Sequence, residues 1–337
     1  MSLTPPGPRP DAPRAQSGLA DRFAIPGVSS STPLGRAAAA VVAHKAEPIF
    51  GLAEAAAGGH DMDAVHDMRV ASRRTREALS LFARCYPVNS FERWEQVVRG
   101  VTKSLGRVRD ADVFLEEFRS LVPRALTEAE RVALAWLIGR REGSRTALVK
   151  RMRRELRRAD VAHLRQDFDR WARRPRELAG IHEPVATLAA DAVAARVTAL
   201  YAHLPAALEE SNSLAQHAMR IDAKKLRYCV ETFAPCYGPE FDMLYPVLKA
   251  FQDELGEIHD RDVFVEAVRE VEADGSAGAA GVTEGGLEAV VADLQAERAV
   301  RFRRFSELAR EWHEPRMRIA LVSAICAAGE PDGFPGS

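Results

Sequence analysis

The feature that most constrains this chain is a twelve-residue helical pattern that occurs twice, 151 residues apart. The first copy reads His66-Asp67-Met68-Arg69-Val70-Ala71-Ser72-Arg73-Arg74-Thr75-Arg76-Glu77. The second reads His217-Ala218-Met219-Arg220-Ile221-Asp222-Ala223-Lys224-Lys225-Leu226-Arg227-Tyr228. At about 100° per residue, His66, Arg69, Arg73 and Arg76 share one side of a helix, while Met68, Ala71, Thr75, Leu79 and Phe82 share the other. The second copy sets His217, Arg220, Lys224 and Arg227 against Met219, Leu226, Val230 and Phe233. Any fold of this chain must bury two like helices by their apolar faces and accommodate two cationic ones.

The repetition continues downstream. Cys85-Tyr86-Pro87 matches Cys236-Tyr237-Gly238 at the same offset, and the segment 105–116 (Leu-Gly-Arg-Val-Arg-Asp-Ala-Asp) matches 255–266 (Leu-Gly-Glu-Ile-His-Asp-Arg-Asp) one residue out of step. Such self-similarity marks an internal repeat. Periodicity and breakers predict helices over about 34–57, 62–84, 89–105, 110–121, 128–158 and 160–173, then 178–208, 212–234, 239–255, 260–273, 284–311 and 315–327. Gly106 and Gly256 read as helix stops, with Asp110 and Asp260 near the next helix starts, where a carboxylate accepts orphan backbone N–H groups. No stretch sustains a two-residue alternation, so strands are not expected. The fold class is therefore all-α: two pseudo-symmetric antiparallel helical bundles, 34–175 and 176–327, produced by an internal duplication. A disordered segment is expected over 1–33, a flexible loop over 274–281 and a short tail over 328–337.

Length and composition permit this: 337 residues can hold two domains, and 47% hydrophobic with 28% charged residues is the balance of a soluble globular protein. A net charge of -1 announces no partner. The distribution says more, because cations crowd residues 140–176 while acids gather around 253–274, and a local field can steer anions at zero total charge. The four cysteines (Cys85, Cys229, Cys236 and Cys326) show no metal-site spacing, so buried thiols in a reducing cytoplasm are expected. The first 33 residues lack the apolar core of a secretory signal, and no apolar run approaches the roughly 18 to 20 residues that span a bilayer. A cytoplasmic protein without a membrane partner follows as the expectation.

A charged helical face is ordinarily solvated surface. Here the face lacks the Glu/Lys alternation that makes favourable i,i+4 pairs, so its like charges repel unless counter-charge arrives. Flanking cations disfavour a divalent metal at His66 or His217. Asp110 with Asp112, and Asp260 with Asp262, diverge by about 200° on a helix and cannot converge on one substrate atom. Capping and ion pairs to the basic helices account for them better. No nucleophile elbow, phosphate-binding glycine loop or zinc-protease helix occurs, so no catalytic residue, metal or cofactor is expected. Arginine forks suit phosphate oxygens, whereas few aromatics interleave to stack bases. A phosphate chain without bases thus fits better than nucleic acid.

At these residues the chain resembles the CHAD family, the conserved histidine α-helical domain. The likeness rests on His66-x-x-Arg69-x-x-x-Arg73-Arg74-x-Arg76, on His217-x-x-Arg220-x-x-x-Lys224-Lys225-Leu226-Arg227-Tyr228, and on the two Leu-Gly segments. It covers about 34–327. The resemblance implies a basic central cleft or pore that binds inorganic polyphosphate, without enzymatic activity, on polyphosphate granules in the cytoplasm. By position it implies ligand roles for His66, Arg69, Arg73, Arg76, His217, Arg220, Lys224 and Arg227, with Arg74 and Lys225 at the rim. Lys45 and Arg196, related by the 151 offset, and Arg141, Arg145, Arg298 and Arg301 on the long helices are further candidate cations. The alternatives are a phosphohydrolase acting on polyphosphate or triphosphates, and a nucleic-acid or granule scaffold using 140–176.

Overall fold

The computed structural model describes residues 18–58 and 62–327. Thirteen α-helices account for most of them: α1 Leu34–Gly51, α2 Ala53–Gly58, α3 Met62–Leu81, α4 Val88–Leu121, α5 Glu128–Ala159, α6 Arg165–Ala172, α7 Val185–Ala202, α8 Leu204–Ala207, α9 Ser213–Thr232, α10 Phe241–Ala273, α11 Ser276–Ala279, α12 Glu284–Glu311 and α13 Glu314–Ala327. Among the described residues there is no strand, only an isolated antiparallel bridge between Pro33 and Pro184. There Leu34 N–H donates to the Glu183 carbonyl and Val185 N–H to that of Thr32, which ties the starts of α1 and α7 together.

Helix starts follow from local chemistry. Thr127 accepts from Glu130 N–H at 3.1 Å, Asn212 from Ala215 N–H at 3.1 Å and Thr283 from Gly286 N–H at 3.3 Å, each satisfying a first-turn donor. α5 ends at Asp160, whose φ of 47° supplies the left-handed cap. The apolar faces read from the repeat are buried: Met68, Leu79, Phe82, Met219, Leu226, Val230 and Phe233 are at most 2% exposed.

The interior does not divide at residue 175. One large core pools α1, α3, α7 and α9 with parts of the long helices, and Phe82 meets Phe233 edge-on across it at 5.9 Å. A second, smaller core forms where the far ends of α4, α5, α10 and α12 meet. There Phe114 and Phe118 stack at 3.8 Å, and Phe264 stands edge-on to both at 5.6 and 5.7 Å. Each half thus contributes to an apolar interior that it shares with the other.

Several expectations need correction. α4 and α10 run unbroken through Gly106 and Gly256, so Asp110 and Asp260 are mid-helix residues and not caps. A single helical glycine costs only about 1 kcal/mol, which packing along a 34-residue helix outweighs. The 34–57 helix divides at Leu52, that over 178–208 begins at Val185, and α11 occupies part of the 274–281 loop. Residues 18–33 pack: Ile25 is 3% exposed, and Phe23 lies 5.1 Å from the Tyr245 ring, apolar contacts that hold the segment down. The remaining stretch of the expected disordered segment, 1–17, and the tail 328–337 lie outside the described residues. α7 has the length and mean hydropathy (1.3) of a membrane-spanning helix, contrary to the sequence reading, and it is packed against α9 and α13.

Candidate functional site

α3 and α9 lie side by side over the Phe82–Phe233 contact and bring their cationic faces to one cleft of about 570 Å³. Arg73 and Arg76 come from α3; His217, Arg220, Lys224, Lys225 and Tyr228 come from α9; Arg196 joins from α7. Acids at the same cleft are Glu77 and Glu95. Glu77 accepts from Arg196 at 2.7 Å, and burial raises its pKa against the pull of Arg196 and Lys225.

Deeper in, Arg69 and Arg220 occupy matching positions and share the same predicament. Arg69 pairs with Asp110 at 3.0 Å and Arg220 with Asp260 at 3.6 Å, yet Nε of each is buried without a hydrogen-bond partner. Burial, then the neighbouring Arg73, lowers Arg69 to about 10; burial likewise lowers Arg220. The effect is greatest at Lys224. Burial, then Arg220, Arg73 and Arg69, push its amine down to about 6, with Asp260 opposing. Two sets of like charge are therefore held against one another by apolar packing beneath them, an arrangement that attracts anions.

Beside Arg220, Nδ1 of His217 and Nδ1 of His259 lie 3.0 Å apart, so one ring donates and the other accepts. Burial, then Arg220, His217 and Lys224, depress His259 to about 3. His259 was not singled out from sequence. The signal was available, because the repeat sets it opposite Arg109, and both precede an aspartate.

Not all candidate cations reach this cleft. Glu231, 1% exposed, draws three of them inward. It accepts from Arg74 Nε at 2.8 Å, from Arg227 Nη1 at 2.7 Å and from the Tyr245 hydroxyl at 2.8 Å. Lys45 is buried near it, lowered to about 8 by burial and Arg74 against the pull of Glu231. Sequence reasoning missed Glu231, although its i+4 spacing from Arg227 on a cationic helix was a usable clue. His66 lines a separate cleft of about 930 Å³ with Arg109, Asp112 and Arg145, where Arg145 donates to Asp112 at 2.5 Å. Arg298 bonds Asp262 at 2.5 Å and Gln216 at 2.6 Å, and Arg301 lies 3.5 Å from Glu254. Arg141 sits 4.1 Å over the Phe114 ring, and Lys225 donates to Asp222 at 2.7 Å. A more apolar hollow of about 620 Å³ between α1 and α6 contains none of the candidate residues. Its Arg165 and Arg173 are matched by Glu47 and Asp169 at 2.9 Å, which leaves no excess charge to attract a ligand.

Comparison with known proteins bears on the fold. The chain matches the crystal structure of the CHAD domain from the plant Ricinus communis with a TM-score of 0.63 and 22% identity, over 89% of this chain and 95% of that one. It matches PptA from Streptomyces chartreusis with a TM-score of 0.62 and 18% identity, over 83% of this chain and 100% of that one. No curated protein matches significantly. The model of the CHAD domain matches residues 40–269, well over half of the sequence, and the chain belongs to the CHAD family.

Proposed function

We propose that the protein binds inorganic polyphosphate along the cleft between α3 and α9 and does no chemistry on it. The observation that carries this reading is the convergence of Arg73 and Arg76 with His217, Arg220, Lys224 and Lys225 on one concavity holding few acids. Membership of a family linked to polyphosphate supports it. A linear phosphate polymer supplies a negative charge per unit and accepts arginine forks at every step, so it relieves the repulsion among these cations at several points together. On this reading the two halves are duplicated bundles, the cleft is the mouth of a basic central pore, and Arg69 and Arg220 meet the chain at its deepest point. Arg74, Arg227 and Lys45 hold the walls through Glu231 instead of touching ligand. Granules of polyphosphate in the cytoplasm are the corresponding location.

Titration with polyphosphate of defined length at two salt concentrations tests the reading. Affinity should rise with chain length and fall steeply with salt, because each neutralised phosphate releases a counterion. Equal affinity for pentaphosphate and for chains of about a hundred units would refute threading. Orthophosphate release in the presence of a divalent cation would replace this reading with the phosphohydrolase one, and preference for RNA at fixed ionic strength with the scaffold one.

A further inference from the structure

The cationic faces of α3 and α9 are built mostly from guanidinium and imidazole groups; of the two cleft amines, Lys225 is tied to Asp222 at 2.7 Å and Lys224 is not. Of their repeated positions 66, 69, 73 and 76 and 217, 220, 224 and 227, only 224 carries a primary amine; its counterpart in the first copy is Arg73. An arginine stays protonated under all ordinary conditions, whereas an amine can surrender its proton and become a nucleophile. Lys224 lines the cleft and, among the described residues, makes no ion pair or hydrogen bond. The groups that act on it are Arg69 and Arg73 from α3, Arg220 from α9 and Asp260 from α10, three cations against one acid. His217 lies about two turns away on α9, and His259 stands on α10; both are held down in part by the Lys224 charge.

We propose that Lys224 is a carbamylation site, at which carbon dioxide adds to the amine and the surrounding arginines hold the resulting anion. In the step, the Nζ lone pair forms a bond to the carbon of carbon dioxide, one C=O π pair moves to oxygen, and a proton leaves nitrogen for solvent. Nothing is oxidised or reduced. The product carries one negative charge on a planar pair of oxygens, the shape that an arginine fork receives. The cluster favours this outcome twice. It disfavours the ammonium form, which cannot react, and it stabilises the carbamate once formed. With Lys224 lowered to about 6, its share of free amine at pH 7.5 exceeds that of an exposed lysine by about a thousandfold. Carbamylation introduces an anion in the middle of the cleft and should therefore oppose entry of polyphosphate. Only that last consequence rests on the polyphosphate reading.

The full chain is incubated with 13C-labelled bicarbonate and carbon dioxide at pH 7.5, and carbamates are trapped by O-alkylation and mapped by mass spectrometry. Label should concentrate on Lys224, with Lys103 and Lys150, both exposed, at least a hundredfold lower. Lys224→Arg should lose that label while keeping its helical circular dichroism. Equal or absent labelling at Lys224 in a folded protein overturns the proposal. In a second arm, carbon dioxide at constant ionic strength and pH should weaken polyphosphate binding severalfold in the native chain and not in Lys224→Arg. Label on Lys224 without any polyphosphate binding would uphold the modification and sink the polymer reading; binding without label would do the reverse.

Discussion

Replacing Glu231 by Gln is the sharpest test of how the cations are divided between wall and cleft. The substitution keeps the shape of the side chain and removes one charge. In the native protein that carboxylate is 1% exposed and accepts from Arg74 at 2.8 Å, Arg227 at 2.7 Å and the Tyr245 hydroxyl at 2.8 Å. Removing one member of a buried ion pair costs about 3–5 kcal/mol, since the partner is left uncompensated. Two arginines are left here, but the Arg74 side chain is a third exposed and finds some relief in water, which places the loss near 3 kcal/mol. At about 2–4 °C per kcal/mol, the melting temperature should fall by about 6–12 °C in a circular dichroism melt. Arg74 and Arg227 do not line the cleft, so polyphosphate affinity measured well below the melting temperature should stay within about threefold. A melting temperature within 2 °C of the native value would refute the buried network. An affinity loss as large as that of cleft variants would show that the inner arginines touch ligand after all.

Three further outcomes are expected. The unfolded chain keeps the Lys224 proton to about pH 10 and the folded chain releases it near about 6, so between those values the unfolded state holds more protons and stability rises with pH. Lys224→Met should flatten that rise in urea titrations across pH 6–9, and calorimetry in two buffers should show that it also loses the proton uptake, approaching one, that accompanies polyphosphate binding to the native protein. Arg73→Glu with Arg76→Glu should lower affinity at least tenfold and reduce the salt slope by about one per cation removed, with helical content intact. Gly286→Ala should destabilise the fold by about 1–3 kcal/mol by chemical denaturation, because a Cβ there would lie 2.5 Å from the Ala129 carbonyl oxygen at the contact of α12 with α5.

The sequence carried the helical class, the two cationic faces and the apolar faces beneath them, because a 3.6-residue period in side-chain type is a direct image of which side is buried. It misplaced Gly106 and Gly256 because a local breaker signal cannot weigh the packing of a helix on both its neighbours. It could not separate Arg76 from Arg227, which share a repeat position: one opens onto the cleft, while the other turns toward Glu231, a carboxylate whose repeat counterpart is Ser80. Nor could it place His66 and His217 in different clefts, or bring His259 to 3.0 Å from His217, since those depend on how α4 and α10 cross the basic helices.

The edge-on meeting of Phe82 and Phe233 bears on when the cleft's charge is assembled. Two mutually repelling surfaces cannot drift apart when a greasy rivet fastens them from behind, so the electrical stress is assembled during folding, before any guest arrives. If the proposed reading holds, a polyanion would meet a finished wall of charge and discharge it without having to assemble it.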